Sequence, residues 1–252
     1  MEKTRIKKFA STLFLYTLFF IGYNPSVAQD ANFHRNPNSV NYNRGFGMHL
    51  NIPTITLGSE SNINQFLEEM GYPGIPKLAF NWGIGLSYRM SNFIGGMDVL
   101  VGNQLRLNEF TRAETLVRPL HANIWAGYYS YKWSMYALYP LTGIYITDTN
   151  YIFSKDVGDS NFEELFLQNK NATNLQNLSA GLFLGVGFDM NRVWTEDTPL
   201  ISLKFGYRMP AFGAFEWESY FAQINNPPAE RFGHWYLQLQ FGFMSNWKKG
   251  AL

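Results

Sequence analysis

The sequence predicts an all-β fold: an antiparallel up-and-down transmembrane β-barrel of about eight strands, with short amphipathic helices in the loops on one side. Three observations predict it. Stretches of alternating apolar and polar residues recur from Gly45 to Met244. Aromatic residues make up 17% of the chain and charged ones only 15%, where an average soluble domain carries about a quarter charged. The connections between the alternating stretches are short and long by turns. Mean hydropathy is only −0.19, too low for a bundle of membrane helices. Strands with one apolar and one polar face average out near zero, as membrane barrels do.

The strands follow in order. Residues 45–53 put Phe46, Met48, Leu50 and Ile52 on one face, opposite Gly47, His49 and Asn51. Residues 78–90 alternate without a fault, with Leu78, Phe80, Trp82, Ile84, Leu86, Tyr88 and Met90 against Asn81, Gly83, Gly85, Ser87 and Arg89. Residues 93–103 set Phe93, Met97, Val99 and Val101 against Gly96, Asp98 and Gly102. Residues 117–130 set Leu120, Ala122, Ile124, Ala126 and Tyr128 against His121, Asn123 and Gly127. In 133–147 the expected outer face is Trp133, Met135, Ala137, Tyr139, Leu141 and Tyr145, with Ser134, Tyr136, Leu138 and Thr142 inward. Residues 177–190, 200–209 and 234–244 alternate in the same way, with Leu184, Leu203 and Leu237 outward and Asp189, Lys204 and Gln238 inward. Side chains alternate across a strand with period two, so a slip of one residue would turn every apolar side chain to the wrong side.

Ser91-Asn92 and Tyr131-Lys132 read as two-residue turns, and 191–200 as a connection of intermediate length. The remaining connections, 54–77, 104–116, 148–176 and 210–233, are long. Short turns on one side and long loops on the other are the plan of outer-membrane barrels, with the short turns in the periplasm. Outward aromatics fall near the strand ends, as two interfacial girdles would require: Tyr88, Phe93, Tyr128, Phe188 and Phe243 at one end, Phe80, Tyr207 and Trp235 at the other.

Residues 1–28 read as a cleaved signal peptide, with Lys3, Arg5, Lys7 and Lys8 before an apolar run from Phe9 to Ile21 and a Ser26-Val27-Ala28 cleavage site. Residues 29–44 read as a flexible polar lead, 45–244 as the barrel and 245–252 as a C-terminal tail. The chain has no cysteine, which excludes disulfides, thiol nucleophiles and thiolate metal sites. A net charge of +1 without a basic run gives no sign of nucleic acid.

The signal peptide ending at Ala28-Gln29, the Gly83-x-Gly85 and Gly185-x-Gly187 strand centres and the Tyr139-Pro140-Leu141-Thr142-Gly143 run carry a resemblance. The chain resembles small eight-stranded outer-membrane barrels of the OmpA/OmpX-like type, and more narrowly those of Bacteroidota. The resemblance implies residence in the outer membrane, with its lipid and the barrel assembly machinery as partners. Two features depart from that type. Phe243 is followed by further residues rather than ending the chain, and Pro140 sits mid-strand, where it implies a bulge or break.

Inward polar and charged residues are the first candidates for function: His49, Arg89, Asp98, His121, Asp189, Lys204 and Arg208. An eight-stranded barrel is just wide enough for side chains to fill, so the expectation is a plugged lumen of satisfied ion pairs. Barrel enzymes that deacylate envelope lipids place a His and a Ser two residues apart. Here the spacings are His49-x-Asn51 and His121-x-Asn123, without the hydroxyl such acyl transfer needs. No metal or cofactor motif is present in the sequence, and no enzyme is expected. Two loop segments carry helix signals: Ile63, Phe66, Leu67 and Met70, stopped by Gly71 and Pro73, and a capping box at Ser160 to Glu163 followed by Phe162, Leu165 and Phe166 on one face. Phe66, Leu67, Phe162 and Phe166 are therefore candidates for a surface-binding role toward an extracellular ligand or protein. The expected function is structural or surface-interacting, with a narrow channel or small-ligand carrier as the alternative and an envelope-lipid enzyme third.

Overall fold

The computed structural model describes residues 42–58, 62–133, 136–155, 172–191, 197–219 and 233–248. The signal peptide, the lead up to residue 41, and the expected helix carrying Phe162 and Phe166 lie outside the described residues. The strand segments are β1 (Tyr42–Gly58), β2 (Leu78–Met90), β3 (Phe93–Gly102), β4 (Gln104–Asn108), β5 (Ala113–Tyr128), β6 (Tyr131–Trp133), β7 (Tyr136–Lys155), β8 (Ala172–Asn191), β9 (Asp197–Glu218) and β10 (His234–Lys248). Each pairs antiparallel with its neighbours. β1 pairs with β10 and β5 with β7, which closes the sheet on itself. β4 carries β3 onward beside β5, and β6 carries β5 onward beside β7, so the barrel has eight staves.

Outside, the barrel presents an apolar belt. On β2, Leu78, Phe80, Trp82, Ile84, Tyr88 and Met90 are exposed, and on β10 Trp235, Leu237, Phe241 and Phe243. On β5 the belt runs from Leu120 to Tyr128, close to the roughly 9–11 residues with which a tilted strand crosses a bilayer. Arg118 and Glu114 stand outward above it and Arg44 below. Aromatic rings mark both edges. Phe93 meets Tyr128 edge to face at 5.1 Å on one, and Phe205 stacks on Trp235 at 5.3 Å on the other. Such a surface cannot face water, since its apolar area is continuous around the sheet. Inside, the faces are polar and aromatic together.

Stave β7 is where the sequence reading fails. Tyr139, Leu141 and Tyr145 are buried in the lumen, while Leu138, Ile144 and Ile146 face outward. The turn expected at Tyr131-Lys132 is instead strand β6, which pairs Tyr131 with Leu138 and Trp133 with Tyr136. β5 correspondingly pairs Gly127 with Leu141. Both faces of this stave are rich in apolar residues, so period two does not tell inside from outside. Pro140 does not break β7, whose register with β8 runs unshifted through it. On the other side the β5 ladder ends at Leu141, where a missing N–H costs nothing. Register shifts lie at other prolines: β1 shifts between Asn51 and Thr54 on both ladders, around Pro53, and β9 shifts against β8 beside Pro210.

The staves are also longer than expected. β1 reaches Gly58, and β4 and β5 leave only residues 109–112 as a turn where 104–116 was expected to be loop. β10 continues to Lys248.

Helix α1 (Asn62–Glu69) forms in the first long connection. Gly71, at φ +82°, ends it. The amide of Gly71 bonds the Glu68 carbonyl at 3.0 Å and that of Tyr72 the Leu67 carbonyl at 2.8 Å, the paired closure a left-handed glycine permits. Ile63 and Leu67, one helical turn apart, bury with Val117, Tyr151 and Phe153 at the barrel mouth. Phe66 and Met70, expected on the same face, are exposed. The segment after the helix is bolted down. Thr111 Oγ1 donates to the Gly71 carbonyl at 2.6 Å, Thr115 Oγ1 to that of Pro73 at 2.5 Å, and Arg106 Nη1 to that of Gly74 at 3.1 Å.

Candidate functional site

All seven inward candidates are buried in the lumen, and they sort into tiers along its axis. The order is read off β9, whose inward residues from the short-turn end are Ser202, Lys204, Gly206 and Arg208.

At the level of Ser202, Asp189 accepts from three hydroxyls: Ser202 at 2.6 Å, Tyr129 at 2.7 Å and Tyr139 at 3.0 Å. Arg89 Nε donates to Tyr129 Oη at 3.2 Å. Tyr139 is held flat by what faces it. A Cβ on Gly187 would lie 2.2 Å from its ring, so the glycine of the neighbouring stave makes the space that the ring fills.

At the level of Lys204, Asp98 accepts from His49 Nε2 at 2.7 Å, Asn51 Nδ2 at 3.1 Å and Gln240 Nε2 at 3.2 Å. Lys204 Nζ stands 3.8 Å from the other Asp98 oxygen and 3.2 Å over the Trp125 ring. His49 and Asp98 belong to β1 and β3, with β2 between them. They touch because Gly85 lies in the gap: its missing Cβ would sit 2.2 Å from both bonded atoms. Charge-assisted bonds of this kind are worth about twice neutral ones, and here every one converges on a single carboxylate. Above it, Tyr145, Phe183 and Tyr236 cross the lumen.

The uppermost tier differs. Arg208 is 1% exposed. Its Nη1 meets His121 Nδ1 at 3.3 Å and His234 Nε2 at 3.2 Å, and its Nη2 donates to Asn123 Oδ1 at 3.3 Å. A guanidinium only donates, so each imidazole offers it a lone pair and carries its proton on the other nitrogen. Thr147 Oγ1 lies 2.7 Å from His121 Nδ1. Over this tier, bordered by Asn64, Ile75 and Pro76 of the α1 segment, is a half-open cavity of about 120 Å³. His121, His234, Thr147, Thr149 and Asn177 line it.

Of the loop candidates, Leu67 is buried in the cap and Phe66 points to solvent. Sequence reasoning missed His234, the inward tyrosines and the hydroxyl beside His121. That hydroxyl was recoverable only from the β5–β7 register, which pairs His121 with Thr147.

No family model matches the chain, and no curated protein matches it. Solved structures do. The Ail attachment invasion locus protein of Yersinia pestis is 11% identical with a TM-score of 0.43, over 79% of this chain and 97% of that one. Neisserial surface protein A is 17% identical with a TM-score of 0.36, over 80% and 97%. OprG of Pseudomonas aeruginosa is 12% identical with a TM-score of 0.40, over 82% and 95%. The closed sheet and its apolar belt decide the location. The chain is a β-barrel of the bacterial outer membrane. α1 with the cavity beneath it lies at the end of the barrel opposite the short turns.

Proposed function

We propose that this barrel is a non-enzymatic surface protein that binds at its outer end and does not conduct through its lumen. One observation carries the reading. Below Arg208 the lumen is filled tier by tier with hydrogen-bonded and aromatic side chains, while the cavity lies above them, toward the outside. The rim supports it: Phe110 is fully exposed at the tip of the turn between β4 and β5, and an exposed aromatic on a fixed turn suits a partner contact. In this reading the belt meets outer-membrane lipid, the assembly machinery inserts the chain, and the extracellular partner docks on the rim.

A small-ligand carrier is the second reading, favoured by the polar lining of the cavity. An envelope-lipid enzyme has less support. His121 meets the Thr147 hydroxyl and the Arg208 guanidinium, and no described carboxylate bonds its imidazole, as a working triad would need. Conductance in planar bilayers tests the first reading. Purified protein should give no stepwise current, and reproducible unitary steps would overturn it.

A further inference from the structure

The cavity above the Arg208 tier has two unlike walls. β5 and β7 line it with Val117, Pro119 and Tyr151, and the segment after α1 adds Ile75 and Pro76. β4 and β8, on either side of those two staves, bring Gln104 and Asn177. The register sets Asn177 beside Thr149, and Val117 between Gln104 and Tyr151. Asn177 Nδ2 and Gln104 Nε2 are both buried without a hydrogen-bond partner, and Asn177 is itself only 3% exposed. Buried amides are ordinarily satisfied, so these two hold hydrogen-bonding capacity that no described residue takes up.

Nothing on these walls calls for a charged guest. None of the described lining residues is Asp or Glu, and the basic ones are engaged: Lys77 and His234 have interactions of their own, and His121 Nδ1 meets Thr147 and Arg208. A charged guest would give up water and meet no spare counter-charge. A hydroxyl both donates and accepts, and so satisfies a primary amide whichever end it presents. The volume of about 120 Å³ is near the ~150 Å³ of a cavity that holds one six-membered ring. The Asn64 border is formed before any guest arrives, since its side chain bonds the amide and the carbonyl of Ile75 at 2.7 and 3.3 Å.

We propose that this cavity binds one ring of a neutral carbohydrate. Its hydroxyls meet the amides of Asn177 and Gln104, and its C–H face lies against Val117, Pro119 and Tyr151. The proposal rests on the outer-end binding reading above and supplies its ligand class. A wholly apolar ring would leave both amides unsatisfied, at the cost that buried unmade hydrogen bonds carry. A polyol without a ring face would leave the wall of β5 and β7 uncovered. The cavity is half-open, so the same ring chemistry comes from a free monosaccharide or from the end of a longer glycan.

The test uses the full chain, folded in micelles of a detergent without a sugar headgroup. Glucose, galactose, mannose and N-acetylglucosamine are titrated in turn, then a trisaccharide ending in whichever ring binds. Cyclohexanol and glucuronate are the apolar-ring and charged controls. Calorimetry gives affinity, and the side-chain amide resonances of Asn177 and Gln104 report the site. At least one neutral sugar should bind saturably and shift both amides, with the controls ~10-fold weaker or more. Tighter binding of the trisaccharide makes a glycan end the source, and equal or weaker binding a free sugar. Asn177→Leu and Gln104→Leu remove the amide and keep the bulk. Each should weaken binding ~5-fold, the scale of one neutral hydrogen bond. The proposal is wrong if no sugar moves both resonances at tens of millimolar, if either control binds as tightly as the best neutral sugar, or if a folded variant binds as the parent does. Should Asn177→Leu fail to assemble, Gln104→Leu at its half-buried site decides alone. A barrel that neither conducts nor binds these sugars removes this inference alone. One that conducts removes the reading beneath it.

Discussion

Lys204 and Arg208 lie on the same face of the same strand, about 13 Å apart at the usual strand rise. Lys204 faces Asp98 at 3.8 Å and lies over an aromatic ring, inside a network that also consumes His49, Asn51 and Gln240. Arg208 is as deeply buried, yet meets only lone pairs and rings. The lower cation completes a plug. The upper one lies beneath a cavity and is met by two imidazoles, an amide oxygen and two tyrosine faces. A lumen that is polar throughout thus divides into a part where a carboxylate meets the cation and a part where neutral acceptors and aromatic rings do.

The comparison can be broken from its matched side first. Asp98→Ala leaves His49 and Lys204 buried with their shared partner gone. Loss of one member of a buried charged set costs about 3–5 kcal/mol, and a urea-unfolding midpoint in micelles should fall accordingly. A midpoint within error of the parent would mean the network is not a structural plug. A cation placed on the opposite face of the neighbouring stave sharpens the point. Leu184 pairs with Tyr207 beside Arg208's position and faces lipid. Leu184→Arg should cost about 2–4 kcal/mol near the midplane, read as reduced assembly into membranes. Normal assembly would reverse the assigned face of β8.

Leu67→Ala acts only at the cap. It removes a side chain that is 4% exposed, and the loss of about 2 kcal/mol or more should fall on α1 alone. Hydrogen exchange of residues 62–75 should quicken while the staves keep their protection. Equal quickening in both would mean that the cap and barrel unfold as one. The smallest change is expected at the upper cation. Arg208→Met strands no carboxylate, but it leaves the lone pairs of His121, His234 and Asn123 without that donor, so stability should fall by about 1–3 kcal/mol. A loss like that of Asp98→Ala would show that Arg208 belongs to the plug after all.

Most of the barrel was legible because one face of most staves is unambiguous. In β2, large apolar residues never take the inward face. In β7 they do. Tyr139 and Tyr145 point inward as space-fillers, and a tyrosine reads equally well as a girdle residue. The signal that could have oriented them is across the barrel wall, in glycines such as Gly187 that leave the room those rings take. The candidate site shows the same boundary. Period two placed His49, Asp98, Lys204 and Arg208 inside. It could not pair His49 with Asp98 across an intervening stave, because that contact depends on the single gap at Gly85. Nor could it show that Arg208 meets imidazoles where Lys204 meets a carboxylate, since that takes the third dimension to establish.

The length of the staves has its own consequence. β7 leaves the belt at Ile146 and remains hydrogen-bonded sheet through Lys155. At strand rise and barrel tilt this is a collar standing roughly 20 Å clear of the bilayer. A visitor to the outer surface therefore meets a fenced rim with α1 riveted to it, rather than free chain. Little conformational entropy remains to be surrendered when such a rim is gripped. The collar also lifts the rim well clear of the apolar belt, so that reach and rigidity come from the same run of paired strands.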